Sequence, residues 1–181
     1  MSLYTMLHVT LSVIGIATGW AALFGGPQSR SAAWLAALFL ATTLLTSLTG
    51  LGFLLSVWRI GIGHVVAVLS LMALGLALDA RYRHRLQGAA RWIYVAAGVV
   101  ALYLNAFILV MQAFAKIAVL RPLAPSLDAA PLLGAHGALL ALFVALGILA
   151  VRRALKPPAK PQRRMPRPDT MLIFLTGWRL Y

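Results

Sequence analysis

Hydrophobic positions in this chain fall into five long, nearly unbroken runs. They span roughly Tyr4 to Phe24, Ala32 to Trp58, Ile60 to Leu78, Trp92 to Leu120 and Leu132 to Ala150. Each approaches the ~20 residues that cross ~30 Å of hydrocarbon at 1.5 Å per residue. Barrel strands alternate polar and apolar residues, and these runs do not. The pattern predicts an all-α integral membrane bundle of about five transmembrane helices. The breaks carry turn and charge signals: Gly25-Gly26-Pro27-Gln28-Ser29-Arg30, Arg59 with Gly61 and Gly63, the basic segment Asp79 to Arg91, and the Pro-containing loop Arg121 to Pro131.

Two units follow, a bundle over residues 1–153 and a basic, Pro-rich tail over 154–181. The linker from Lys156 to Asp169 lacks a core-forming pattern and is expected to be extended. It leads to Met171-Leu172-Ile173-Phe174-Leu175 with Trp178 and Tyr181, too short to span but able to lie in the lipid interface. No Lys or Arg precedes Arg30, so the positive start of a signal peptide is missing and the first helix is expected to be retained.

Composition agrees with lipid as the solvent. Of 181 residues, 62% are hydrophobic and only 10% charged, where a soluble domain has about 25% charged. Sixteen Lys and Arg against three Asp give a net charge of +13. The cations lie between and after the apolar runs, which suits membrane orientation better than nucleic-acid binding; no nucleic-acid partner is expected. Arg81, Arg83, Arg85 and Arg91 lie in one loop. Arg152, Arg153, Lys156, Lys160, Arg163, Arg164 and Arg167 follow the fifth run. With five spans both segments share a side, so the positive-inside rule predicts a periplasmic N-terminus and a cytoplasmic C-terminus. The basic tail would then meet anionic lipid headgroups. Trp34, Tyr82 and Trp92 fall at the inner boundary, Tyr4 and Trp58 at the outer one.

Candidate chemistry lies in the few polar groups within the runs, since each is costly in hydrocarbon. His8, His64 and His136 each follow an outer helix start by four residues, which puts three imidazoles at similar depth. Gln112 is placed near that level, with Lys116 beside it, and Asn105 shares a helical face with Gln112. Two facing histidines could bind a b-type haem, and three could bind copper or zinc; a quinone-like ligand is a further option. The structural alternative is that each histidine reaches water or a carbonyl near its helix end. Gly15 and Gly19 permit close helix approach. Thr42, Thr43, Thr46, Ser47 and Thr49 give the second helix a hydroxyl stripe. Asp79 can pair with Arg81 or Arg83. There is no Cys, which removes thiolate chemistry. Phosphate-loop, dinucleotide and zinc-protease motifs are absent.

The stretch Ala101-Leu102-Tyr103-Leu104-Asn105-Ala106-Phe107, continuing through Gln112-Ala113-Phe114-Ala115-Lys116 to Leu123-Ala124-Pro125, carries a family likeness. With Leu7-His8 and with Ala145 to Arg153, it resembles small multi-pass membrane proteins of bacteria that have no established activity. The resemblance covers roughly residues 5–153. It implies a bacterial inner membrane and the bundle fold, and carries over no catalytic residue. The expected role is an accessory or scaffolding membrane component that packs against other membrane subunits. The alternatives are a small haem or metal redox protein using outer-leaflet histidines and, with less support, a transporter or channel.

Overall fold

The computed structural model describes residues 3–24, 30–53 and 60–156. The turn at Gly25–Ser29, Trp58 with Arg59, and the tail beyond Lys156 with its apolar end lie outside the described residues. Five helices carry the fold: α1 (Leu3–Phe24), α2 (Arg30–Gly52), α3 (Ile62–Leu78), α4 (Ala90–Lys116) and α5 (Ala130–Leu155). All five are long and apolar enough to cross a membrane, α3 when counted through to Arg83. The chain is a multi-pass membrane protein of the all-α class. Helices are the form that satisfies every backbone group within one span, where hydrocarbon offers no partner.

The boundaries differ from the hydrophobic runs for local reasons. α3 does not stop at Leu78 but widens into a π turn over Asp79–Arg83. α4 ends at Lys116, four residues early. Ile117 turns to an extended backbone while its N–H still bonds to the Ala113 carbonyl, and Pro122 then sits in a short 3-10 turn over Arg121–Leu123. α5 continues to Leu155, beyond the apolar run, because Arg152 and Arg153 suit the negative end of a helix.

Successive helices run antiparallel, and α1 closes back on α4, so α1 to α4 form a ring. α5 lies outside it, packed on α4 and touching α1 where Trp20 meets Phe143 edge-on at 5.5 Å. One end of the bundle holds the starts of α1, α3 and α5; this is the histidine end. The other holds the α3–α4 loop and the end of α5; this is the arginine end. There Arg91 donates to the Lys156 carbonyl at 2.6 Å, tying α4 to α5.

The core is centred on Leu74, Ala77, Ala101 and Leu102, each at most 2% exposed. On α3, the buried positions Val66, Ala67, Ser70, Ala73, Leu74 and Ala77 follow the helical repeat. Its opposite face carries Val65, Val68, Leu69, Met72 and Leu76, large side chains suited to lipid.

α1 buries only Gly15 and Gly19. A Cβ at Gly15 would lie 3.1 Å from the Thr42 hydroxyl oxygen and 3.3 Å from that of Thr43. One at Gly19 would lie 2.7 Å from Leu102 and 2.8 Å from Phe39. The two glycines therefore let α1 approach α2 and α4 closely, as expected of a Gly-x-x-x-Gly face in lipid. Replacing either glycine with Leu should destabilise the bundle by about 1–3 kcal/mol, the usual cost of overpacking. Lowered melting temperatures in detergent would register this. Unchanged melting for both variants would show that α1 does not pack through that face.

Candidate functional site

Polar side chains collect at two levels of the bundle. The deeper level is central. Asn105 of α4 donates to the Thr43 hydroxyl of α2 at 3.1 Å, with Gly15 of α1 alongside. Thr43 is fully buried, and Thr42, Thr46, Ser47 and Ser70 are buried with it. Thr42 returns its hydroxyl to the Leu38 carbonyl at 2.7 Å, and Thr18 does the same to Ile14 at 2.7 Å. Such bonds within one helix satisfy a hydroxyl where water is absent. The stripe on α2 thus faces packed helices.

The second level lies at the histidine end, between α1 and the last turns of α2. Tyr4 donates its hydroxyl to the Thr49 carbonyl. The Thr49 hydroxyl donates to the Leu45 carbonyl at 2.8 Å, so its oxygen is left to accept from Nδ1–H of His8, also at 2.8 Å. With the Thr49 proton on Leu45, Nδ1 of His8 is the donor and Nε2 keeps the lone pair. The Phe53 ring closes the group edge-on, 4.8 Å from Tyr4 and 5.3 Å from His8. The site has room for the Tyr4 ring because Gly52 lacks a side chain. The His8 ring lies 3.5 Å from where a Gly50 Cβ would stand, and a Gly52 Cβ would collide with the Tyr4 hydroxyl.

Gly50 also places His64 relative to this group. Ala67 of α3 lies 3.7 Å from the same Gly50 position. His64 is one turn earlier on that side of α3, so His8 and His64 flank the end of α2. His64 Nδ1 accepts the Gly61 backbone N–H at 3.0 Å, which puts its proton on Nε2. That Nε2 and the Thr46 hydroxyl oxygen are buried without a hydrogen-bond partner among the described residues.

His136 is elsewhere. Its Nδ1 lies 3.0 Å from the Leu132 carbonyl and its Nε2 3.3 Å from the Phe107 carbonyl, with the Phe107 ring centroid 4.2 Å away. A neutral imidazole donates to one of these at a time. This pairing is on the α5 side of α4. Phe107 is only two residues beyond Asn105, whereas His8 is seven residues outward from Gly15. Asn105 belongs to the central level with Thr43. Gln112 is exposed and further along α4, with no hydrogen bond to any of the three histidines. Among the described residues no three His, Cys, Asp or Glu side chains come together in a metal-binding group.

Comparison with protein-family models, curated proteins and solved structures finds no match. Membrane architecture therefore rests on the five apolar spans themselves, and no family is identified.

The Tyr4, His8, Thr49 and Phe53 group was only partly visible in the sequence. His8 stood out as a polar residue in an apolar run. Its partner did not, because Thr49 is one of five hydroxyls in the α2 stripe and only antiparallel packing selects it. At the arginine end, Asp79 meets Arg83 at 3.9 Å and His84 at 3.3 Å. Arg81 turns instead to the Tyr94 hydroxyl at 3.3 Å and lies over its ring, 5.7 Å from the centroid. In the loop before α5, the Ser126 hydroxyl holds the exposed Asp128 carboxyl below its ordinary range.

The His8–Thr49 contact is open to a double-mutant cycle. With His8→Phe and Thr49→Val, a coupling of about 0.6 kcal/mol is expected, the average for hydrogen bonds between membrane helices. Additive effects on melting would show that the two side chains do not bond.

Proposed function

We propose that this chain is a non-enzymatic accessory or scaffolding component of the bacterial inner membrane, with α5 as its docking helix. One observation carries the reading. The face of α5 turned away from α4 presents Gly134, Ala138, Ala141 and Ala145, all exposed and spaced by three or four residues. Leu132, Leu139 and Phe143, which pack inward, are on the opposite side. The small-residue valley runs between ridges of Leu142 and Leu149 on one side and Leu133, Leu140 and Val144 on the other. A Cβ at Gly134 would meet nothing within 4 Å. Lipid does not require small side chains, as the large outer face of α3 shows, whereas helix–helix contact in lipid does. Glycine in a helix costs about 1 kcal/mol relative to Ala, which packing against a second helix offsets.

The test is the particle mass of the full chain extracted in native lipid discs. The protein mass per disc, with lipid subtracted, is expected to exceed the 19.4 kDa of one chain. Gly134→Leu and Ala141→Leu should reduce it to that of one chain while leaving the melting temperature unchanged. A wild-type particle holding one chain alone, or assembly indifferent to both substitutions, would overturn the reading.

The redox alternative draws less support from the geometry. His64 offers a proton at Nε2 where a metal needs a lone pair, and both nitrogens of His136 face carbonyls, Leu132 in its own helix and Phe107 in α4. A transport path draws little support from the α2 hydroxyls: Thr42 and Thr49 bond within the helix and Thr43 accepts from Asn105.

For orientation, we propose that the arginine end is cytoplasmic and the histidine end periplasmic. The support is charge: Arg81, Arg83, Arg85, Arg91, Arg152 and Arg153 gather at one end. Reporter fusions after Arg85 and after Pro125 should give cytoplasmic and periplasmic signals respectively. The reverse pattern would overturn the orientation.

A further inference from the structure

A groove of about 430 Å³ runs along the outside of the bundle between α4 and α5. Ala96, Val100 and Tyr103 line it from α4, and Val144 and Ile148 from α5, with Arg152 at its arginine end. Apart from Arg152 its walls are almost wholly apolar. It lies beside the small-residue valley of α5, not within it: Val144 and Ile148 are on the flank facing α4.

We propose that this groove is a binding site for one anionic phospholipid, with an acyl chain along the α4–α5 seam and the headgroup phosphate on Arg152. Three features select that occupant. The first is length. From Leu140 to Arg152 the groove follows twelve residues of helix, about 18 Å. One leaflet of hydrocarbon is about 15 Å deep, half of the ~30 Å core. The second is charge. Arg152 has neither a hydrogen-bond nor an ion-pair partner among the described residues. It stands one turn before Lys156, whose carbonyl receives Arg91, so further cations are held at the same boundary. A guanidinium fork there matches phosphate oxygens. The third is shape. A Cβ at Gly147 would lie 3.5 Å from the Val99 side chain, in ordinary contact, so the glycine leaves the groove floor open at that point. The groove shares Val144 with one ridge of the α5 valley, and Arg152 continues that valley's line one heptad after Ala145, so a bound lipid and a docked helix would share this flank of α5.

Native mass spectrometry of the full chain in detergent micelles tests this, with phosphatidylglycerol or phosphatidylcholine added as the probe. The wild type should carry one lipid and favour phosphatidylglycerol by about fivefold, the worth of one cation at a membrane surface. Arg152→Gln should abolish the preference. Arg153→Gln, which removes the same charge from a different side of α5, should leave it intact. Val144→Trp should fill the groove and reduce retention of both lipids. Equal retention of the two lipids by the wild type would overturn the proposal. So would equal loss in the two arginine variants, or full retention in a folded Val144→Trp protein.

Discussion

The bundle depends on how closely α1 approaches α2 and α4. In lipid no hydrophobic force draws helices together, because the acyl chains are as apolar as the side chains. Association must come from contacts at short range. Gly15 and Gly19 bring the backbone of α1 against Thr42, Thr43, Phe39 and Leu102. That approach allows the rest: Thr43 and Asn105 meet in the interior, and Tyr4 and His8 reach Thr49 two turns further out. α1 then closes the ring of four helices on which α5 rests.

The polar groups show the same economy of space. Thr18, Thr42 and Thr49 return their hydroxyls to carbonyls of their own helices. Bonds between helices are left to Asn105, His8, Tyr4 and His136. At the arginine end, water takes over. The loop from Arg83 to Gly88 turns sharply, with positive φ at Arg85, Leu86 and Gly88. Its cations stay at the boundary, where Arg81 engages Tyr94. The bundle thus has the Asn105–Thr43 bond at its centre, a histidine end closed by Tyr4, His8 and Thr49, and a charged arginine end; among the described residues the Thr46 hydroxyl and Nε2 of His64 are buried without a partner.

α5 differs from the other helices in what it turns outward. α3 shows lipid Val65, Val68, Leu69, Met72 and Leu76, and α2 shows Trp34, Leu38, Leu45 and Leu48. α5 shows Gly134, Ala138, Ala141 and Ala145 along one line. Its inner face is held by α4 through Phe143, His136 and Gly147.

The sequence by itself determined the five spans and the all-α class, because hydropathy over some twenty residues is a local property that needs no partner. It also marked Gly15 and Gly19 as contact residues, since small side chains four apart have one main use in lipid. Helix ends were legible only to within a few residues. α4 stopped at Lys116 and α3 ran on through a π turn because turn geometry, not hydropathy, decides an end. The polar sites were not legible as sites. Equal spacing from helix starts suggested one histidine level. Helix rotation puts His8 against the end of α2 and His136 against Phe107 of α4. Which of five hydroxyls meets which imidazole, and which face of α5 stays open, depend on the rotation of each helix about its axis. No single span encodes that angle; it is set only when the helices pack together.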